Sequence, residues 1–178
     1  MQIHRLTAHP ARPANRVRGV QVRWLYLPGG ELFLRWRIDG ARDVMLPPYA
    51  GSGRGDDLWT TTCFELFLDF GDGTYREFNF SPSGRWAAYD FASYRSRSGE
   101  GEIGEWPETT VERGTDIITG AVRVPRDALS GATRGSLTAV VEEEGGVISF
   151  WAPAHHNDEP DFHDRTCFTL DFAPPQAT

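Results

Sequence analysis

Apolar residues recur at every second position through most of this chain, and helical periodicity is nearly absent. Val20, Val22, Trp24 and Tyr26 share one face of an extended segment. After Pro28-Gly29-Gly30 the chain returns with Leu32, Leu34, Trp36 and Ile38 on one face and Arg35, Arg37 and Asp39 on the other. Segments patterned this way bury a side only by lying in sheets that pack against each other. The strongest strand runs from Trp59 to Phe70: Phe64, Leu66, Leu68 and Phe70 form its apolar face, and Cys63, Glu65, Phe67 and Asp69 form the other. Tyr75 to Phe80 alternates again, Ser81-Pro82-Ser83-Gly84 has the residues of a type I turn, and Arg85 to Phe91 returns. Further strands are predicted at 108–113, 117–124, 137–143, 147–151 and 167–172, with one short helical turn at 125–129 opened by Pro125. The expectation is an all-β chain, an antiparallel β-sandwich (immunoglobulin-like or jelly-roll-like) of about ten strands and at most one short helix.

At 178 residues, without internal repeat or linker, residues 1–178 read as a single domain. The charge of −7 disfavours a nucleic-acid or anionic-membrane partner. Every basic residue is arginine, which excludes Schiff-base and P-loop lysine chemistry and fits a GC-rich bacterial genome. No apolar leader or membrane-length run is visible, so the expected location is the cytoplasm. There Cys63 and Cys167 are expected as buried free thiols, although a bridge is sterically open if their strands are neighbours. The nucleophile elbow, the zinc-protease helix and C-x-x-C are all absent, and no enzymatic activity is expected.

Two constellations remain. The first is polar and aromatic. A symmetric closure of the 81–84 turn would pair Asn79 with Trp86 and put Glu77, Asn79 and Trp86 on one face, near Glu65 and Trp59. Inward carboxylates on central strands need partners, so this face is either an arginine-satisfied network or a polar ligand cleft. Flat rings with carboxylate and amide groups suit sugars. Glu65 and Glu77 would serve glycoside hydrolysis only at a defined separation, which spacing alone does not set. The second constellation is the segment 155–164, with three histidines and four carboxylates. Asp158, Asp161, His163 and Asp164 are its metal candidates, with a structural calcium favoured over zinc, against the alternative that these side chains cap turns.

The strings Leu58-Trp-Thr-Thr-Thr-Cys-Phe-Glu-Leu-Phe-Leu68 and Tyr75-Arg-Glu-Phe-Asn-Phe-Ser-Pro-Ser-Gly-Arg-Trp-Ala-Ala-Tyr89, with Pro160-Asp-Phe-His-Asp164 and Phe168, resemble a bacterial DOMON-like domain, related to family 9 carbohydrate-binding modules. The resemblance implies a β-sandwich whose relatives bind sugar or haem. On the sugar reading, two tryptophans clamp the ligand and a strand carboxylate holds its hydroxyls. Trp59 followed by Glu65 matches one half of that arrangement, and Trp151 is the candidate second ring. The resulting site is Trp59, Glu65, Glu77, Asn79, Trp86 and Trp151. The haem alternative would use Met45 opposite His155, His156 or His163 as axial ligands. A third reading is a protein-interaction module without a small ligand.

Overall fold

The computed structural model describes residues 2–172. The strands are β1 (Gln2–Ala8), β2 (Gly19–Tyr26), β3 (Leu32–Asp39), β4 (Gly53–Arg54), β5 (Cys63–Asp69), β6 (Tyr75–Phe80), β7 (Arg85–Ser93), β8 (Ser96–Glu100), β9 (Glu108–Arg113), β10 (Ile117–Val124), β11 (Arg134–Glu143), β12 (Val147–Ala152) and β13 (Leu170–Asp171). The helical segments among the described residues are short 3₁₀ turns. One, at Arg126–Leu129, follows Pro125, where a helical turn is expected.

The chain is all-β, with thirteen strands rather than about ten. They form one hydrogen-bonded path, β4-β7-β6-β5-β11-β12-β1-β2-β3-β10-β9, with β8 on β7 and β13 on β11. β1 belongs to both halves of this path. Gln2 to Leu6 pair with β2, and Thr7 and Ala8 pair with β12. The halves are therefore parts of one curled sheet. The strands absent from the sequence reading, β1, β4 and β8, lack a clear apolar face: β8 is largely exposed along its length. The predicted strand at 167–172 contracts to a 3₁₀ turn at Arg165–Cys167 followed by the two-residue β13. Cys63 and Cys167 are both buried and free.

The alternating residues of both halves meet in one core. Trp36 of β3 stacks on Phe64 of β5 with ring centroids 5.1 Å apart. The halves approach so closely here that a Cβ at Gly120 of β10 would lie 2.3 Å from the Phe64 ring. Since Phe64, Leu66 and Leu68 turn inward to this core, period-2 geometry sends Cys63, Glu65, Phe67 and Asp69 to the opposite face. That second face is also covered. Phe67, Tyr75, Ala87, Tyr89, Phe91 and Phe168 form a smaller apolar cluster, against which Leu58 and Phe162 pack.

Candidate ligand-binding cleft

The outer face of β5, β6, β7 and β11 is the floor of a cleft of about 430 Å³. Strand register builds it. Glu65 lies opposite Asn79 and Phe67 opposite Glu77. Thr138 flanks Glu65 from β11, and Tyr89 flanks Glu77 from β7. The walls come from three connections. The 3₁₀ turn Leu58–Thr60 presents Trp59, which is 49% exposed. The β7–β8 turn contributes Arg95, and the segment after β12 contributes Pro160, Phe162 and His163. Asp161 ties these last two together, accepting from Tyr94 Oη at 2.7 Å and from Arg95 Nη2 at 2.8 Å.

Glu65 and Glu77 are both buried. Thr138 Oγ1 donates to Glu65 Oε2 at 2.9 Å, and Asn79 Nδ2 donates to Glu77 Oε1 at 2.6 Å. Burial, and then the charge of Glu77, push the Glu65 carboxyl well above the usual glutamate range. Burial also raises Glu77, while Asn79, Arg95 and Arg97 pull it back. The Cys63 thiol beside them is pushed up by burial and by both carboxyls. A carboxyl that keeps its proton both donates and accepts, so the floor can pair with hydroxyl groups in either sense.

His163 sits among rings, with its centroid 4.9 Å from Phe91 and 5.4 Å from Phe67. Burial, and then Arg95, lower its pKa to about 4, so the ring is neutral. Tyr75 Oη accepts from the Arg95 backbone N–H at 3.0 Å and faces His163 Nδ1 at 2.9 Å. The direction of that bond follows the tautomer of the ring, whose Nε2 lies 3.6 Å from Glu77 Oε2.

Of the residues expected at a ligand site, Trp59, Glu65 and Glu77 line this cleft. Asn79 is fully buried beneath it and holds Glu77 in place. Trp86 and Trp151 lie elsewhere, which corrects the face expected for them. The observed register pairs Phe80 with Trp86 and Asn79 with Ala87. The cause is Gly84, left-handed at φ 86°, which makes the Pro82-Ser83-Gly84 loop an odd-numbered connection closed by Ser81 and Arg85. The shift by one turns Trp86 into the core. Trp151 pairs with Ala139, next to Thr138, and also faces the core. Thr138, Tyr89, Phe91, Phe150 and Phe162 were not read from sequence as site residues. The outward alternation of each strand carries a signal for the first four; nothing local marks Phe162.

Of the metal candidates, Asp161 and Asp164 both accept from Asn157 Nδ2, at 3.4 and 3.3 Å. Asp161 is the tie described above, and Asp164 accepts from Thr166 N at 2.9 Å as the cap of the turn at Arg165–Cys167. His163 belongs to the cleft, and Asp158 lies in an exposed stretch. The residues that do converge are His156, Asp164 and Cys167, with ligand atoms within 4.8 Å of one another. That N, O, S set suits a transition ion better than calcium, which prefers all-oxygen shells. Thr166 Oγ1 already bonds both His156 Nδ1, at 2.8 Å, and Asp164 Oδ1, at 2.6 Å. Met45, the methionine of the haem reading, is 45% exposed and lies outside the lining of the cleft. Among the described residues no helix is long and apolar enough to cross a membrane.

No protein-family model and no curated protein matches the chain. Among solved structures it is similar to a protein of Bacteroides uniformis, itself named only as a candidate for carbohydrate binding. The TM-score is 0.65 at 16% identity, over 94% of this chain and 84% of the other. At that identity the likeness is one of fold, and in fold this chain and the Bacteroides protein agree over nearly their whole lengths.

Proposed function

We propose that this protein is a non-catalytic carbohydrate-binding domain whose ligand occupies the cleft above Glu65 and Glu77. One observation carries the reading: an exposed indole, Trp59, borders a floor of buried, hydrogen-bonded carboxyl groups inside an aromatic-walled cleft. The indole offers a flat apolar surface to the C–H face of a sugar ring, while Glu65 and Glu77 take its hydroxyls. The name of the structurally similar Bacteroides protein points the same way, as does the resemblance to DOMON-like domains and family 9 carbohydrate-binding modules. Neither Trp86 nor Trp151 is needed: the second apolar wall is supplied by Phe162 and Phe150.

Isothermal titration against mono- and disaccharides tests the proposal. Saturable binding is expected, weakened roughly tenfold or more by Trp59→Ala, with the melting temperature unchanged because the ring is half exposed. Absence of binding to every sugar, or equal affinity in the variant, overturns it.

A further inference from the structure

The charge in the cleft is unbalanced. Two arginines line it; both act on the Glu77 carboxyl from a distance, and each has its closer acidic partner outside the floor. Arg95 pairs with Asp161 at 2.8 Å, and Arg97 pairs with Glu100 at 3.5 Å. The acids Asp57, Glu65 and Glu77 also line it. Glu65 is 2% exposed and Glu77 7%, and among the described residues the one titratable base within 4 Å of either is His163, 3.6 Å from Glu77. Glu65 Oε1 accepts no hydrogen bond from any described residue. Glu77 Oε2 has only the distant His163 Nε2. Each carboxyl thus spends one oxygen on the protein, Glu65 on Thr138 and Glu77 on Asn79, and keeps the other for the cleft.

Two buried carboxyl groups on adjacent strands repel each other when ionised, and burial alone makes ionisation costly. A bound cation removes both penalties at once. The walls offer one open ring to it: Trp59 is exposed and attracts an ammonium through its π electrons, whereas Tyr89 is already covered by the Arg97 guanidinium at 4.0 Å and Phe91 is stacked on Tyr75 at 4.7 Å. A metal ion would instead ask for more oxygen ligands than the floor offers. We propose, building on the carbohydrate reading, that the preferred ligand of this cleft is an amino sugar whose free, protonated amine sits between Glu65 and Glu77. The ammonium donates to Glu65 Oε1 and Glu77 Oε2, and Trp59 covers the C–H face of the ring.

The proposal balances as a proton exchange. The ligand enters protonated; burial and mutual repulsion favour a proton on the empty floor, and an ammonium placed between the carboxyls favours its release to solvent. Among the described residues the other ionisable groups near the pair include His163, Arg95, Arg97, Cys63, Asp57, Tyr75 and Tyr89. At about pH 6 the histidine, its pKa lowered to about 4, is already neutral, and the thiol, pushed up by burial, keeps its proton. A proton that leaves on binding to the native protein, and does not leave on binding to Glu65→Gln, is assigned to the pair.

The test is calorimetry at about pH 6 with matched sugars in the gluco, galacto and manno series, each as the parent hexose, the 2-amino sugar and its N-acetyl derivative. In at least one series the amino sugar should bind roughly tenfold or more tighter than both companions, the size of one charge-assisted hydrogen bond. Titrations in buffers of different ionisation enthalpy should show proton release on amino-sugar binding only. Glu65→Gln, nearly isosteric and checked for an unchanged far-UV spectrum, should lower the ratio of amino sugar to hexose affinity severalfold, and an unchanged ratio overturns the amine assignment. If a hexose or N-acetyl sugar binds as well as the amino sugar, the amine assignment falls and carbohydrate binding stands. If no sugar of any series binds, both readings fall.

Discussion

The two outward faces of the curled sheet handle charge in opposite ways. On the β2–β3 half, Arg23 lies directly opposite Arg35, and the pair sits in solvent. Arg23, Arg35 and Arg37 border a groove of about 250 Å³. Two like charges side by side cost only tenths of a kcal/mol there, because water screens them. On the β5–β6–β7 half, Glu65 and Glu77 sit under Trp59, Phe162 and the Arg95 turn in the larger cleft of about 430 Å³. Water is largely excluded, so the same repulsion changes protonation instead. A charged residue on an outward strand position thus reports a site only when a connection covers it.

Four substitutions sharpen or break this contrast. The largest effect should fall on neither face. Trp36 is fully buried between the halves and stacked on Phe64, so Trp36→Ala should cost about 4 kcal/mol in urea denaturation. Both halves should melt in one transition, and separate transitions by fluorescence and circular dichroism would show that they are not one cooperative unit. Next is Thr138→Val, which leaves the buried Glu65 carboxyl without the hydroxyl that donates to it. A loss of about 2 kcal/mol is expected. A loss under half that would mean the cleft is wetter than its walls imply.

The third is a pH effect. Folding favours the neutral form of His163, whose pKa is lowered to about 4. Its stabilising contribution is complete above the ordinary histidine value of about 6.5 and is lost as pH falls through about 4. Glu65 and Glu77 slope the other way. Their raised values mean that a contribution fully present below the ordinary glutamate range is lost as pH rises above it. His163→Asn should therefore flatten the acid-side fall in melting temperature and leave the neutral-side decline in place. An unchanged acid limb would remove His163 as the titrating group. The smallest effect is expected at Arg35→Glu on the solvated face. Replacing a like-charge pair by an opposite-charge pair with Arg23 should raise stability by about 0.3 kcal/mol. A change of several times that size in either direction would mean that this face is not simply solvated.

Much of the site is legible in the alternation of two strands. Once Phe64, Leu66 and Leu68 are assigned inward, Glu65 must face away, and Glu77 follows from Phe78 on the neighbouring strand. The indole of Trp59 is legible as the ring before that strand, although it stands on a 3₁₀ turn and not in the strand itself. Trp86 shows where such reading stops. Its face depends on whether the connecting loop has an odd or even number of residues, and the left-handed Gly84 settles that locally. Phe162 and His163 stop it for a different reason, since they reach the cleft through a long connection whose path is set by Asp161 bonding to the β7–β8 turn.

By itself, then, the amino-acid sequence determined the all-β character and the sidedness of the strongest strands, because period-2 alternation is a property of each strand taken alone. It also settled the excess of acid over base and the absence of lysine chemistry. Only the tertiary structure decided that β1 joins both halves into one curled sheet, that Trp86 and Trp151 belong to the core, and that two carboxyl groups share a covered cleft with a neutral histidine. Those outcomes depend on register and on contacts between residues far apart in the chain, such as Thr138 with Glu65, and such contacts leave no local periodic trace.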